Sequence, residues 1–209
     1  MKPIKGQIMR TAILLLCVLL PLPCLAEGNQ SIDVTVFAGA RFGGSFDLNE
    51  EQESIDLDDD TSVGLIIAWP YDNTRQGELL LSHYDTNFNL DSTLIDSPTE
   101  LGVSYLHIGG NVPISQGLVP FWFSGGMGAT HLSPNDSNLD NETRFSMSFG
   151  IHSSIELTEN LALRFGARSY ATFFDTDSAV FCNGGNCRIY VSSQVWVQSE
   201  LTAGLTFKF

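Results

Sequence analysis

The fold class that the sequence predicts is all-β: an eight-stranded antiparallel up-and-down transmembrane β-barrel behind a cleaved leader. Three observations predict it. Beyond residue 26 the hydropathy alternates with a period of two, the signature of strands with unlike faces. The alternating stretches number eight, each close to the 9–11 residues that a tilted membrane strand needs. The connections between them alternate short and long, as in an even-stranded barrel with short turns at one rim and long loops at the other.

The leader comes first. Lys2, Lys5 and Arg10 precede an apolar run from Thr11 to Leu22, which Pro21 and Pro23 close. Cys24-Leu25-Ala26 then puts small residues three and one before a cut ahead of Glu27. The run is too short to span a membrane as a helix, and the layout is that of a secretory signal peptide. A lipoprotein signal would place its cysteine beside the cut, but Pro23 directly before Cys24 is unsuited to that processing. The expected organisation is a signal peptide over 1–26 and one barrel domain over 27–209.

The last strand is the plainest. Val195, Val197, Leu201, Ala203, Leu205, Phe207 and Phe209 share one face, broken only by Ser199; Trp196, Gln198, Glu200, Thr202, Gly204, Thr206 and Lys208 share the other. The same pattern predicts strands over 31–43, 61–71, 77–88, 100–111, 119–131, 143–157, 161–174 and 193–209. The segments 72–76, 112–118 and 158–160 are short; 44–60, 89–99, 132–142 and 175–192 are longer and polar. Both termini then fall on the short-turn, periplasmic side. No stretch after the leader approaches the roughly 20 apolar residues of a membrane helix.

A soluble barrel also alternates, but with its apolar face inward. The polar face decides between the two. It carries few lysines and many small residues: Gly39, Gly64, Ser104, Gly126, Gly128, Gly150 and Gly166. Its charges, Asp33, Arg41, Glu78, Arg144, His152, Glu156, Arg164, Arg168 and Glu200, have both signs. That suits a lumen only just wide enough for side chains. The other face carries Val34, Val36, Leu65, Ile67, Phe121, Phe123, Phe145, Met147, Phe149, Leu163 and Phe165, and Trp69, Tyr71, Phe207 and Phe209 lie at strand ends, where aromatic girdles belong. The third and fourth strands are less clean. Tyr105 and His107 fall on the expected lipid face, where a bulge would reset the parity.

Ten lysines and arginines stand against 24 acidic residues, for a formal charge of −14, and three of the ten lie in the leader. So acidic a surface excludes nucleic acid as a partner. Cys182 and Cys187 flank Asn183-Gly184-Gly185-Asn186, a segment that turns easily, so a local disulfide is expected in an exported chain. Two thiols are too few for a metal site, and no cofactor motif is present.

The stretch Tyr105-Leu106-His107-Ile108-Gly109-Gly110, then Pro120-Phe121, Ser124-Gly125-Gly126-Met127-Gly128-Ala129-Thr130 and the terminal Phe207-Lys208-Phe209 together resemble the small outer-membrane β-barrel domain proteins, the group of OmpA-, OmpX- and OmpW-like barrels. The resemblance implies the outer membrane of a Gram-negative-type bacterium, contact with its lipid and lipopolysaccharide, and insertion by the outer-membrane assembly machinery with Phe209 in the recognition signal. It specifies little chemistry, because the fold hosts unrelated activities.

Four features are candidates for function. The lumen charges either line a pore or form a salt-bridged plug, in which Arg164 and Arg168 approach Glu200; the plug is expected, because buried charges must be paired. His152 with Ser154 and Glu156 has the residue types of a nucleophilic triad, as in lipid A-modifying barrels, but all three share one inward face. The clustered carboxylates of the acidic segment 49–60 could bind Ca2+ or engage lipopolysaccharide through bridging divalent ions, but the segment lacks the glycine of an EF-hand and reads as a solvated loop. The Cys182–Cys187 loop reads as a restraint on loop motion. The function expected is a non-enzymatic structural or surface-interaction role through the extracellular loops. The alternatives are a narrow channel for small or hydrophobic solutes and, third, a lipid A-modifying enzyme.

Overall fold

The computed structural model describes residues 31–47, 54–56, 59–88, 99–115, 117, 119–135, 140–174, 179–183, 186–190 and 195–209. The leader expected over 1–26 and most of the acidic segment 49–60 lie outside the described residues.

Eight strands close into an antiparallel barrel: β1 (Asp33–Phe42), β4 (Asp60–Pro70), β5 (Gln76–Phe88), β6 (Thr99–Ser115), β7 (Phe121–Pro134), β8 (Glu142–Thr158), β9 (Leu161–Phe173) and β12 (Val195–Lys208). Each strand pairs with the next in the chain, and β1 pairs with β12 to seal the seam. Ile32 and Phe209 exchange backbone hydrogen bonds of 3.1 and 3.0 Å, so the two described ends meet at one rim. Closure leaves no barrel edge with unpaired backbone groups, which is what allows a sheet to cross lipid.

The four long connections leave the opposite rim. Two of them carry short hairpins that the periodicity did not reveal: β2 (Ser45–Asp47) with β3 (Ser54–Asp56), and β10 (Ala179–Asn183) with β11 (Asn186–Tyr190). Gly43 and Gly44 take φ of 77° and 103°, a conformation that lets the chain leave β1 and that a β-carbon would strain. At the near rim, Asp72 Oδ1 accepts hydrogen bonds of 2.8 Å from the backbone N–H of both Thr74 and Arg75. These bonds fix the turn and hold the Asp72 carboxyl below its ordinary value, Thr74 contributing most.

The faces follow from the alternation. Phe121, Phe123, Phe145, Phe149 and Phe165 are each 42–54 % exposed on the outer wall, whereas Arg41 and Glu200 in the lumen are each 1 % exposed. That distribution is inside-out for a soluble protein and right for a membrane barrel.

One expected face is corrected. Ser104 points outward, and Tyr105 and His107 point inward, both buried. No bulge resets β6 near them; the register shift lies further along, between Pro113 and Ser115. The reason is that the apolar residues themselves change sides. In the lower part of β6, Leu106 and Ile108 face out; above Tyr105, Leu101 and Val103 face in and are fully buried. β5 does the same, with Leu81 outward and Tyr84 inward. A strand that leaves hydrocarbon and enters water must invert its apolar side while its geometry keeps strict alternation.

Candidate functional site

The lumen gathers the predicted charges into stacked layers, each set by the register of the strands around it. Asp33 and Lys208 are cross-strand partners at the rim of the short turns. There Lys208 Nζ donates to Glu156 Oε1 at 2.5 Å, and Gln76 Nε2 donates to Asp33 Oδ2 at 3.5 Å.

The next layer centres on Glu78. Arg164 Nη2 donates to its Oε2 at 2.9 Å, and Arg168 donates to its Oε1. The two arginines sit four residues apart on one face of β9, and Glu78 on β5 receives both from across the lumen. Arg164 Nη2 also lies 3.2 Å from His152 Nδ1. Guanidinium has only donors, so Nδ1 accepts and the ring proton sits on Nε2. Ser124 Oγ is 2.9 Å from the same Nδ1.

Above it lies Arg41. Its Nη2 donates to Glu200 Oε1 at 2.7 Å and to Ser82 Oγ at 2.6 Å, while Tyr170 donates its hydroxyl to Glu200 Oε2 at 2.6 Å. The rings of Tyr84, Tyr105 and Tyr170 surround the guanidinium, with centroids 4.9, 4.9 and 4.3 Å from Cζ. Nε and Nη1 of Arg41 have no hydrogen-bond acceptor, so those ring faces are their neighbours. His107 lies in a serine clasp, 2.8 Å from Ser148 Oγ and 2.7 Å from Ser146 Oγ. Gln198 joins two of the tyrosines, accepting from the Tyr105 hydroxyl at 2.7 Å and donating to the Tyr84 hydroxyl. An apolar cap of Leu101, Val103, Leu132, Phe174 and Trp196, each no more than 5 % exposed, closes the stack toward the long loops.

The ion pairing corrects one expectation. Arg168 and Glu200 are direct cross-strand partners, as their heights in the sequence imply. Yet Arg168 binds Glu78, and Glu200 binds Arg41. The long guanidinium reaches across a narrow lumen more readily than it folds back onto its neighbouring strand. Arg144 stands apart near the upper rim, 2.6 Å from Glu142 and beside the Phe174 ring. The His152, Ser154 and Glu156 set does not assemble: His152 bonds Ser124 and Arg164, and Glu156 bonds Lys208. Among the described residues no group of three or more His, Cys, Asp or Glu could hold a metal. For the cysteine loop the backbone register is described, and it sets Cys182 opposite Cys187; the sulfur atoms lie outside the described residues.

Ser82, Tyr84, Gln198 and the serines around His107 were not singled out from sequence. A signal for the first two was present, since Glu78 fixes the inward parity of β5 and they share it. The cross-lumen contacts had none, because they join strands far apart around the barrel. Between the two charged layers lies a cavity of about 20 Å3, lined in part by Ser124, His152, Arg164, Arg168, Glu200 and Thr202. That is room for about one water.

No protein-family model matches the sequence, and no curated protein does. Solved structures match by shape. Neisserial surface protein A (NspA) aligns over 88 % of this chain and 100 % of its own, at 15 % identity and a TM-score of 0.54. The outer membrane protein OprG from Pseudomonas aeruginosa aligns over 88 % and 97 %, at 12 % identity and a TM-score of 0.51. Identities this low speak for the fold alone. With the closed sheet and the apolar outer wall, they give the chain the fold of the small eight-stranded outer-membrane β-barrels.

Proposed function

We propose that this is a closed, non-enzymatic barrel that acts at its extracellular end, in an envelope or surface-interaction role, and does not conduct. The observation that carries the reading is the filled lumen. Ion-paired layers, a tyrosine cage and an apolar cap follow one another along the axis, and the cavity between the charged layers has room for about one water. The inward burial of His152 and Ser124 supports a non-enzymatic role, since a membrane lipid has no approach to them. The long connections are rich in carboxylates and leave the rim under which the cap sits. On this reading the chain is exported by its leader, meets lipopolysaccharide on its outer wall, and is inserted by the assembly machinery through the strand that ends at Phe209.

Planar-bilayer recording of the refolded protein tests the proposal. No discrete openings are expected at either polarity. Steady unitary conductance would overturn it and promote the narrow channel. An overexpressing strain should keep its lipid A unchanged by mass spectrometry; a trimmed species would instead support the enzyme.

A further inference from the structure

The outer wall changes character between two adjacent rows of residues. In the lower row Leu81, Leu106, Ala129 and Phe145 are successive cross-strand partners on β5, β6, β7 and β8, all facing out. In the row directly above, the partners are His83, Ser104, His131 and Thr143. His83 Nδ1 is 2.9 Å from Ser104 Oγ, and His131 Nδ1 is 2.9 Å from Thr143 Oγ1. Higher still stand Asp85, Gly102, Ser133 and Asn141. On β6 and β7 the inward residues become apolar at the same level, as Leu101, Val103 and Leu132. On these strands the boundary between hydrocarbon and head groups is thus placed between the two rows, while on β4 the outward Val63 carries the apolar wall up to His83.

Two imidazoles and two hydroxyls therefore stand at head-group height. They span about 14 Å across four strands at the usual spacing of about 4.8 Å. Val36, Leu65 and Leu81, with Val63 level with His83 as its cross-strand partner, line an outward groove of about 500 Å3 that His83 and Ser104 also line. Among the residues whose side chains are described, no other cationic or potentially cationic group faces outward at this height. Arg41, Arg164 and Arg168 point into the lumen, Arg144 is paired with Glu142, and Arg75 and Lys208 lie at the opposite rim.

We propose that this face is a lipid site: the groove takes an acyl chain of an outer-leaflet lipid A molecule, and the His83–Ser104–His131–Thr143 row takes its phosphorylated head group. An acyl chain and its head group are joined at the boundary where groove and row are joined. Each His–hydroxyl pair spends one donor internally and leaves one, the imidazole Nε2–H or the hydroxyl O–H, free to donate to a phosphate oxygen. Asp85 Oδ1 lies 3.4 Å from His83 Nε2 and competes with phosphate for that donor. The proposal concerns the outer wall and stands whether or not the lumen conducts.

The experiment is native mass spectrometry of the full-length mature barrel released from nanodiscs doped with lipid A or with enzymatically dephosphorylated lipid A. One retained lipid A per barrel is expected, falling at least about tenfold for the dephosphorylated lipid, a loss of the size that one charge-assisted hydrogen bond supplies. The same fall is expected for the H83A/H131A double variant and for V63W, which fills the groove, while D85N retains more. Folding of each variant is checked by heat-modifiable gel migration. Equal retention of both lipids, or by wild type and H83A/H131A alike, would overturn the proposal and reduce the face to ordinary lipid packing. Imidazole nitrogen NMR of the unaltered barrel gives a second reading. Lipid A should shift His83 and His131 but not His107 or His152. Equal shifts with inorganic phosphate alone would overturn the lipid as the source.

Discussion

Replacing Glu78 by alanine removes the one carboxylate that holds both Arg164 and Arg168. Glu78 is 3 % exposed and the two arginines are 7 % and 9 % exposed, so water does not replace the lost partner. Breaking a buried pair typically costs about 3–5 kcal/mol, because a charge is left without compensation. Two charges are stranded here, which puts the expectation at the upper end, near about 5 kcal/mol. At roughly 2–4 °C per kcal/mol for a domain of 150–250 residues, the melting transition should fall by about 10–20 °C. The assay is gel migration after stepwise heating in detergent, where folded and unfolded barrels separate. Replacing Glu78, Arg164 and Arg168 together by leucine or methionine should recover most of the loss, since no lone charge remains. An unchanged transition for Glu78→Ala would refute the reasoning: it would mean that water already screens these groups and that the lumen is a hydrated pore.

Glu200→Ala should be rescued by a neutral residue at Arg41 and not at Arg168, because Arg41 is its partner; a double-mutant cycle showing coupling to Arg168 instead would contradict the pairing. Gly150→Ala should destabilise by about 1–3 kcal/mol through overpacking, since a β-carbon there would lie 2.5 Å from the Ala167 carbonyl oxygen and 3.0 Å from Arg168 Cα, both backbone atoms; a neutral result on the heated gel would show that the wall yields. We further propose that Cys182 and Cys187 are bridged, worth about 2 kcal/mol for so short a loop; thiol labelling of the unreduced, unfolded protein should find neither reactive, and two labelled thiols would disprove it.

Much of the barrel was legible because its physics is local. Alternation fixes a strand, and alternating loop lengths fix up-and-down order; every expected strand overlaps an observed one. The ends were less legible: β6 runs to Ser115 and β8 to Thr158, each past a register shift that a strict period cannot follow. The face of β6 was misassigned for a physical reason. A single apolar parity was sought along a strand that passes through two solvents, and the inward Leu101 and Val103 pulled it the wrong way. In the candidate site, sequence shows which charges face inward, but pairing depends on reach across the barrel. Arg168 and Glu200 share a height and a strand pair, yet Glu78 from the far side wins Arg168. The tyrosine cage was illegible for the same reason, since Tyr84, Tyr105 and Tyr170 meet only when β5, β6 and β9 curl around Arg41.

The inversion at the membrane boundary has a consequence for closure that the charged layers alone do not imply. Within hydrocarbon the outward face must be apolar, so strict alternation leaves mostly polar groups inside, and these close the lumen by pairing, with Phe37, Ile66 and Leu80 packed among them. Above the boundary on β5 to β7 the outward face is polar, and the inward Leu101, Val103 and Leu132 close by packing with Trp196 and Phe174, although Phe173, Val195 and Val197 keep the outward face of β9 and β12 apolar. The barrel thus has two seals in series, the Glu78 and Glu200 layers and the cap of Leu101, Val103, Leu132, Phe174 and Trp196. Their failure modes differ: removing a carboxylate weakens the first without touching the second. Glu78→Ala should therefore destabilise the barrel yet leave planar bilayers silent. Leu101→Ala with Leu132→Ala should likewise stay silent, at a cost of about 2–5 kcal/mol for each truncated leucine, because the ion-paired layers still fill the lumen beneath. Only the combination of all three substitutions should admit ions, seen as discrete openings in the fraction that remains folded by heat-modifiable migration. Openings in Glu78→Ala alone would show that the apolar cap is no barrier, and that the charged layers are the gate of a channel rather than one of two plugs.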